Sequence, residues 1–170
     1  MTKLTDITLR SVTTSTQRFA YRTPLKFGGR VVVDVMLLDV AVDVETRDGR
    51  LATGFGSMPM SNAWGWPSIQ VSSDEALAAM VALGHQLGAF ADCYREAGHP
   101  LEITRDLARQ CQPLADAVTR EAGLPESMPI HAYSFYMQVT WEVEWRLNTI
   151  HTMNTCPWYI HIQTLVRCFT

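Results

Sequence analysis

A two-residue alternation from Met36 to Glu45 limits the folds open to this chain more than any other feature. The even positions are Met, Leu, Val, Val and Val, whereas Asp and Glu occur only at odd positions. Neighbouring side chains of a strand point to opposite faces, so the pattern predicts a strand with one buried face. The dipeptide Asp48-Gly49 then predicts a type I′ hairpin turn, and the alternation from Leu51 to Phe55 indicates the returning strand.

A third strand is expected from Ile7 to about Arg22, a stretch rich in Thr, Val and aromatic residues whose alternation is poor. Helices follow the strands. Ser72 and Glu75 have the spacing of a capping box, in which each side chain accepts a hydrogen bond from the other residue's backbone N–H. The predicted class is α+β, with a three-stranded antiparallel meander followed by a helical bundle and a C-terminal tail of β-strand character.

The first helix is expected to run from Ser72 to a stop at Gly98 and Pro100, and a second helical stretch from about Thr104 to Ala122. Proline cannot donate a backbone hydrogen bond, so Pro113 should break or kink that second stretch. Residues 1–125 are predicted to form one domain. Residues 126–170 are predicted to form an aromatic-rich tail.

The composition changes after this point. No glycine follows Gly123, no Asp or Lys occurs from His131 onward, and apolar residues occupy every odd position from Tyr133 to Trp145. One hypothesis is that the chain is a truncated or frame-shifted derivative of a longer enzyme and that the tail is non-native sequence. The other hypothesis is a genuine short protein whose tail strands, including one near Trp158, pair with each other or with the meander.

Composition and charge exclude several classes of function. Apolar residues make up 47% of the chain, charged residues 18%, and the net charge is only −3. Neither nucleic acid nor a membrane is therefore indicated as a partner, and a cytoplasmic location is expected because the N-terminus has no apolar signal segment. The cysteines and histidines show no zinc-module spacing, even where His151, Cys156, His161 and Cys168 cluster.

Other candidate chemistry is weak. Cys93 and His99 are interpreted as a thiol on a helix face and a histidine in a C-terminal helical turn, because a reactive cysteine needs an electropositive site. Glu142 and Glu144 lie on one predicted strand face, where two carboxylates alone do not make the oxygen shell that magnesium requires. The sequence contains no phosphate-binding glycine motif and no nucleophile elbow. No catalytic residue and no cofactor are assigned to this chain.

Three motifs carry a resemblance to a known family. They are RTPLKFG after the first strand, VDVETRDGRLATGFGSMP across the hairpin, and GHPLE in the helical region. Residues from Ile7 to Leu124 resemble the N-terminal capping domain of the enolase superfamily, in the mandelate racemase and muconate-lactonizing enzyme branch. The resemblance implies a lyase or isomerase in which a (β/α)₈ barrel binds Mg²⁺ and performs the chemistry. A barrel needs about 250 residues, and 46 residues follow Leu124.

The resemblance also implies two substrate-contacting segments, which we call the first segment (Thr23–Gly29) and the second segment (Ser57–Trp66). The sequence places them at opposite ends of a strand pair. Lys26 would offer a charge to a substrate carboxylate or hydroxyl, and five apolar side chains would exclude water: Phe27, Met58, Met60, Trp64 and Trp66. The alternative is that Lys26 is a solvated lysine and that the two tryptophans pack on the domain's own helices.

Two functions follow from these observations. In the first, the chain is a capping-domain fragment that gates access of a small carboxylate or acid-sugar substrate to a barrel and is inactive alone. Its uncovered barrel-facing surface would then favour self-association into a homo-oligomer. In the second, the chain is a stand-alone α+β binding or interaction module without catalytic activity, and the loop of Trp64 and Trp66 binds its ligand.

Overall fold

The computed structural model describes residues 6–27 and 29–132. Three strands come first: β1 (Ile7–Phe27), β2 (Arg30–Thr46) and β3 (Leu51–Pro59). Four helices follow: α1 (Asn62–Gly65), α2 (Ser73–Asp92), α3 (Pro100–Ala108) and α4 (Cys111–Glu121). The strands form one antiparallel sheet in the order β1-β2-β3. The predicted α+β class with a three-stranded meander is confirmed, and the tail strands proposed from Tyr133 onward lie outside the described residues.

The central strand buries the face that its alternation predicts. Leu38, Val40, Val42 and Val44 are all buried, and they share one face because they are two residues apart. This face joins the helices in one core, to which Met80 and Leu83 of α2, Ile103 of α3 and Val118 of α4 contribute. The core extends past residue 125, since Met128 and Ala132 are also buried in it.

A β-bulge explains why the alternation of β1 is hard to see in the sequence. Leu9 pairs with Val44 and Ser11 pairs with Asp43, so Arg10 is an extra residue without a partner in the register. The inserted residue moves the core-facing positions from odd numbers to even numbers. Leu9 is therefore buried on the same face as Val12, three residues later.

The turn between β2 and β3 differs from the predicted type I′ turn. The N–H of Gly49 donates to the carbonyl of Thr46 at 2.9 Å, so the turn is centred on Arg47 and Asp48 rather than on Asp48 and Gly49. Gly49 follows with a φ of 82°, a conformation that costs glycine little. This is the three-residue hairpin loop in which a glycine in the left-handed region closes the turn.

The helix boundaries combine confirmed and corrected predictions. The capping box is present: the Glu75 N–H donates to Ser72 Oγ and the Ser72 N–H donates to the Glu75 carboxylate. The helix that starts there ends at Asp92, earlier than predicted. The second helical stretch is indeed broken near Pro113, which lies in the first turn of α4, where backbone N–H groups have no helical partner in any case.

His99 is not the C-terminal-turn residue that the sequence suggests. It is the N-cap of α3, and its Nδ1 accepts a hydrogen bond from the Leu101 N–H at 3.3 Å, while Pro100 opens the helix. Gly98 pairs with Ile7 of β1 through two backbone hydrogen bonds of 2.9 and 3.1 Å. The GHPLE motif is therefore a link between the sheet edge and α3, since it pairs with one and begins the other.

Candidate functional site

The two candidate segments lie at the same end of the sheet, not at opposite ends. In an antiparallel meander, the β1–β2 turn and the end of β3 point the same way, and Pro59 at the end of β3 pairs with Leu37 of β2. The Met60 N–H extends this contact by donating to the Met36 carbonyl at 2.7 Å. Much of both segments is strand rather than loop, because β1 continues to Phe27 and β3 to Pro59.

The first segment forms the end of a projecting β-ribbon. The pairing of β3 with β2 ends at Leu37 of β2. The part of β2 between Arg30 and Leu37 therefore extends beyond β3, and β1 is its only neighbour among the described strands. At about 3.3 Å per residue, this ribbon extends roughly 20 Å past the end of β3. Lys26 is exposed near its tip, opposite Val31, which is itself 59% exposed.

The second segment combines exposed and buried residues. Met60 is 3% exposed and Trp66 is 2% exposed, and both belong to the core cluster. Met58 is partly buried against that cluster. Trp64 lies in α1, the short helix that follows β3. Of the candidate residues whose side chains the structure describes, Lys26 is therefore the exposed one, and Met58, Met60 and Trp66 form the base of this end of the sheet.

Trp66 is fixed by a residue that the sequence did not single out. Its indole Nε1–H donates to Glu126 Oε1 at 2.6 Å. The Ser68 hydroxyl also donates to the Glu126 carboxylate, and together the two hydrogen bonds hold the pKa of Glu126 below its ordinary value. Ser68 Oγ accepts in turn from the N–H groups of Gln70 and Val71, each at 2.9 Å. We call Trp66, Ser68 and Glu126 the Glu126 cluster.

Arg30 joins this cluster to the projecting ribbon. It is the first residue of β2, and its guanidinium Nη2 donates to the backbone carbonyl of Ser68 at 3.2 Å. The Arg30 side chain thus connects the tip of the ribbon to the part of the chain that follows the second segment. No local sequence signal identifies this connection, because Arg30 and Ser68 are 38 residues apart and Trp66 and Glu126 are 60 apart.

A cleft of about 280 Å³ lies at the base of the ribbon, between the ribbon and the start of α2. Its charged lining includes Arg18 and Asp34, which form an ion pair of 3.8 Å, together with Arg30 and Asp74. Both signs of charge are therefore present, and a carboxylate or a hydroxyl-rich molecule would find donors in the two arginines.

The described residues show no arrangement that resembles a catalytic centre. Cys111 is buried, and burial raises the pKa of its thiol to about 11, so it stays protonated at neutral pH. Cys93 is exposed beyond the end of α2. Within 6–27 and 29–132, no three His, Cys, Asp or Glu side chains converge to hold a metal ion.

No helix in these ranges has the length and apolar character needed to cross a membrane.

Protonation of Glu126 should release Trp66. The folded-state pKa of Glu126 is lowered, so its contribution to stability is fully present above the unfolded-state pKa and is lost as the pH falls through the folded-state value. We expect the indole N–H resonance of Trp66 to shift in an acid titration followed by nuclear magnetic resonance. In Glu126→Gln, which keeps an acceptor oxygen but cannot titrate, this transition should be absent; a transition of equal size in the variant would show that another group controls Trp66.

No protein-family model matches this chain, and no curated protein matches it. Among solved structures, it is similar to an enolase from alpha pretobacterium bal199 with bound Mg, at 15% identity and a TM-score of 0.47. That match covers 84% of this chain and 32% of the other. A magnesium and mandelic acid complex of an enolase from Bradyrhizobium is similar at 20% identity and a TM-score of 0.44, with coverages of 86% and 33%.

The chain is also similar to L-talarate/galactarate dehydratase from Salmonella typhimurium LT2, at 15% identity and a TM-score of 0.43, with coverages of 85% and 31%. It thus spans about a third of the length of each of these proteins. Two of these three proteins are enolases.

Proposed function

We propose that this chain acts as a capping domain that closes over a (β/α)₈ barrel, gates access of a small carboxylate or acid-sugar substrate, and is inactive alone. The observation that supports this most is the placement of the two candidate segments at one end of the sheet. A hydrogen bond from Arg30, just after the first segment, to the Ser68 carbonyl, just after the second, links their neighbourhoods. A gate must cover a site from one side and exclude water from it. Two segments at opposite ends of the sheet would be unable to do so together.

The exposed groups at this end suit the proposed role. Lys26 provides an exposed point charge near the tip of the ribbon, and a lysine ammonium pairs well with a carboxylate. Val31 and Leu25, 59% and 49% exposed, give the tip an apolar surface beside that charge. The buried Met60 and Trp66 support the second segment from below rather than facing outward. The proposed role therefore depends most on Lys26.

The Mg²⁺ that this type of chemistry uses would belong to the barrel. The residues described here do not fit such an ion, since no group of three potential ligands converges among them. The chain's own contribution would be to position the substrate and to exclude solvent.

The experiment is to supply the full 170-residue chain to the barrel of L-talarate/galactarate dehydratase, expressed without its own capping region, and to follow dehydration of an acid sugar. We expect the chain to raise the rate. Lys26→Ala should raise KM about tenfold, which corresponds to about 1.4 kcal/mol. Arg50→Ala, at the other end of the sheet, is the matched control and should change neither KM nor kcat. Equal effects of the two substitutions would contradict a role for the ribbon tip.

A second candidate function, binding of a small ligand by the chain alone, is favoured by the cleft at the base of the ribbon. Arg18 and Arg30 both line it, and they would pair with an anionic ligand. Calorimetric titration of the wild-type chain with galactarate distinguishes the two functions. Binding that is lost in Arg18→Ala and kept in Lys26→Ala would favour the binding module over the cap.

A further inference from the structure

Strand β3 has an open edge in the described part of the chain. It pairs with β2 on one side only, and its register runs from Leu51 to Pro59. The Thr46 N–H donates to the Arg50 carbonyl and the Met60 N–H donates to the Met36 carbonyl, so the even-numbered residues of β3 direct their backbone groups toward β2. Because these directions alternate in antiparallel pairing, the backbone groups of Thr53, Phe55 and Ser57 point to the open edge.

The opposite edge of the sheet, formed by β1, is protected from pairing with another strand, whereas β3 lacks such protection. Along β1, Asp92 of α2 accepts the Val12 N–H at 2.7 Å, and His85 bonds the Thr14 hydroxyl at 2.7 Å. Two irregularities in its register and several arginines also interrupt that edge. Such features prevent edge-to-edge pairing in natural sheets. The sequence of β3, LATGFGSMP, contains no charged residue and has its one proline at the last position.

We propose that β3 pairs antiparallel with β3 of a second copy of this chain, about a two-fold axis through Phe55, so that the two sheets form one continuous sheet of six strands. Phe55 is the central residue of the nine in β3. A two-fold axis there places Phe55 opposite its own counterpart, Thr53 opposite Ser57 and Leu51 opposite Pro59. The outward N–H and C=O groups of Thr53, Phe55 and Ser57 then meet in matching pairs, whereas Pro59 has no N–H to donate to Leu51. A two-fold contact between like surfaces closes on itself.

The side chains of β3 suit this arrangement. Phe55 is 51% exposed and Leu51 is 74% exposed, and pairing would cover both. Gly54 and Gly56, which flank Phe55, are buried. Since β3 carries no charge, pairing brings no like charges together. A second copy is the fitting occupant because the axis pairs Phe55 with its own counterpart and the hydroxyl residue Thr53 with the hydroxyl residue Ser57.

The expected dimer is weak. One strand pair buries less than the roughly 1,200 Å² at the lower end of stable interfaces. We therefore expect a dissociation constant of the dimer on the order of 10–100 μM.

Sedimentation velocity of the full chain between 1 and 300 μM tests the proposal. The wild-type chain should shift from monomer to dimer over this range. Phe55→Lys, which places two charges opposite each other at the axis, should weaken the dimer at least tenfold. The matched control is Phe19→Lys, which removes a phenylalanine of similar exposure, 39%, from β1. A wild-type chain that stays monomeric at 300 μM, or equal weakening by both variants, would overturn the proposal.

Amide hydrogen exchange of the wild-type chain gives a second test that does not depend on the folding of a variant. The amides of Thr53, Phe55 and Ser57 should exchange more slowly as the protein concentration rises, because dimerisation protects them. Protection that is already complete at 1 μM and does not change with concentration would show that this edge is held within one chain. That result would also overturn the dimer.

Discussion

Replacing Leu83 by alanine should lower the free energy of unfolding by about 3 kcal/mol, the largest effect expected of any substitution considered for this chain. Leu83 is fully buried in the middle of α2, in the core between that helix and the sheet. The substitution removes apolar contacts and leaves a cavity that the surrounding close-packed side chains can fill only in part. Urea denaturation followed by circular dichroism measures the change.

Leu101→Ala is the matched control, because it makes the same chemical change in a helix at a position that is 48% exposed. We expect it to cost less than about 1 kcal/mol, in keeping with substitutions at exposed positions. If the two leucines proved equally important, the core would not lie between α2 and the sheet.

Gly88→Ala should lower the free energy of unfolding by about 1.5 kcal/mol, although alanine is the better helix former. A Cβ at position 88 would lie 2.4 Å from Cγ2 of Thr14 on β1. The threonine cannot turn that methyl group away without losing the 2.7 Å hydrogen bond between its hydroxyl and Nδ1 of His85. Overpacking of this kind costs about 1–3 kcal/mol, against about 1 kcal/mol gained in helix propensity.

The effect of Gly88→Ala on the free energy of unfolding should change sign when Thr14 is replaced by serine. Thr14→Ser removes only the clashing methyl group and keeps the hydroxyl that bonds His85. In that background, Gly88→Ala should raise the free energy of unfolding by up to about 1 kcal/mol, since only the gain in helix propensity remains. A double-mutant cycle measured by urea denaturation checks this. Destabilisation of the same size in both backgrounds would place the cause of the effect elsewhere than at Thr14.

Features of the fold that depend on neighbouring residues could be predicted from the sequence. The alternation of β2 and the capping box of Ser72 and Glu75 act over a few residues, and both are present as predicted. Features that depend on distant partners could not. The bulge at Arg10 shows itself only through pairing with β2, and it hides the alternation of β1. The predicted type of the β2–β3 turn was wrong because an Asp-Gly dipeptide also fits a three-residue loop.

The candidate site shows the same limit. The sequence identified the two segments and their residues, but it placed them at opposite ends of the strand pair, whereas the meander brings them to one end. Trp66 is hydrogen-bonded to Glu126, and Arg30 at the start of the ribbon is hydrogen-bonded to Ser68. Neither pair is close in sequence. His99 was assigned to the end of one helix because Pro100 signals a stop, yet proline equally begins the next.

The most direct test of the proposed capping function is a turnover assay with the full chain alone. The chain is incubated with Mg²⁺ and a set of carboxylate substrates that includes mandelate, L-talarate and galactarate, and products are followed by proton nuclear magnetic resonance. The proposed function predicts no magnesium-dependent dehydration or racemisation above the rate without protein. Turnover of any of these substrates by the chain alone would contradict it, because the proposed function assigns metal binding and proton removal to the barrel.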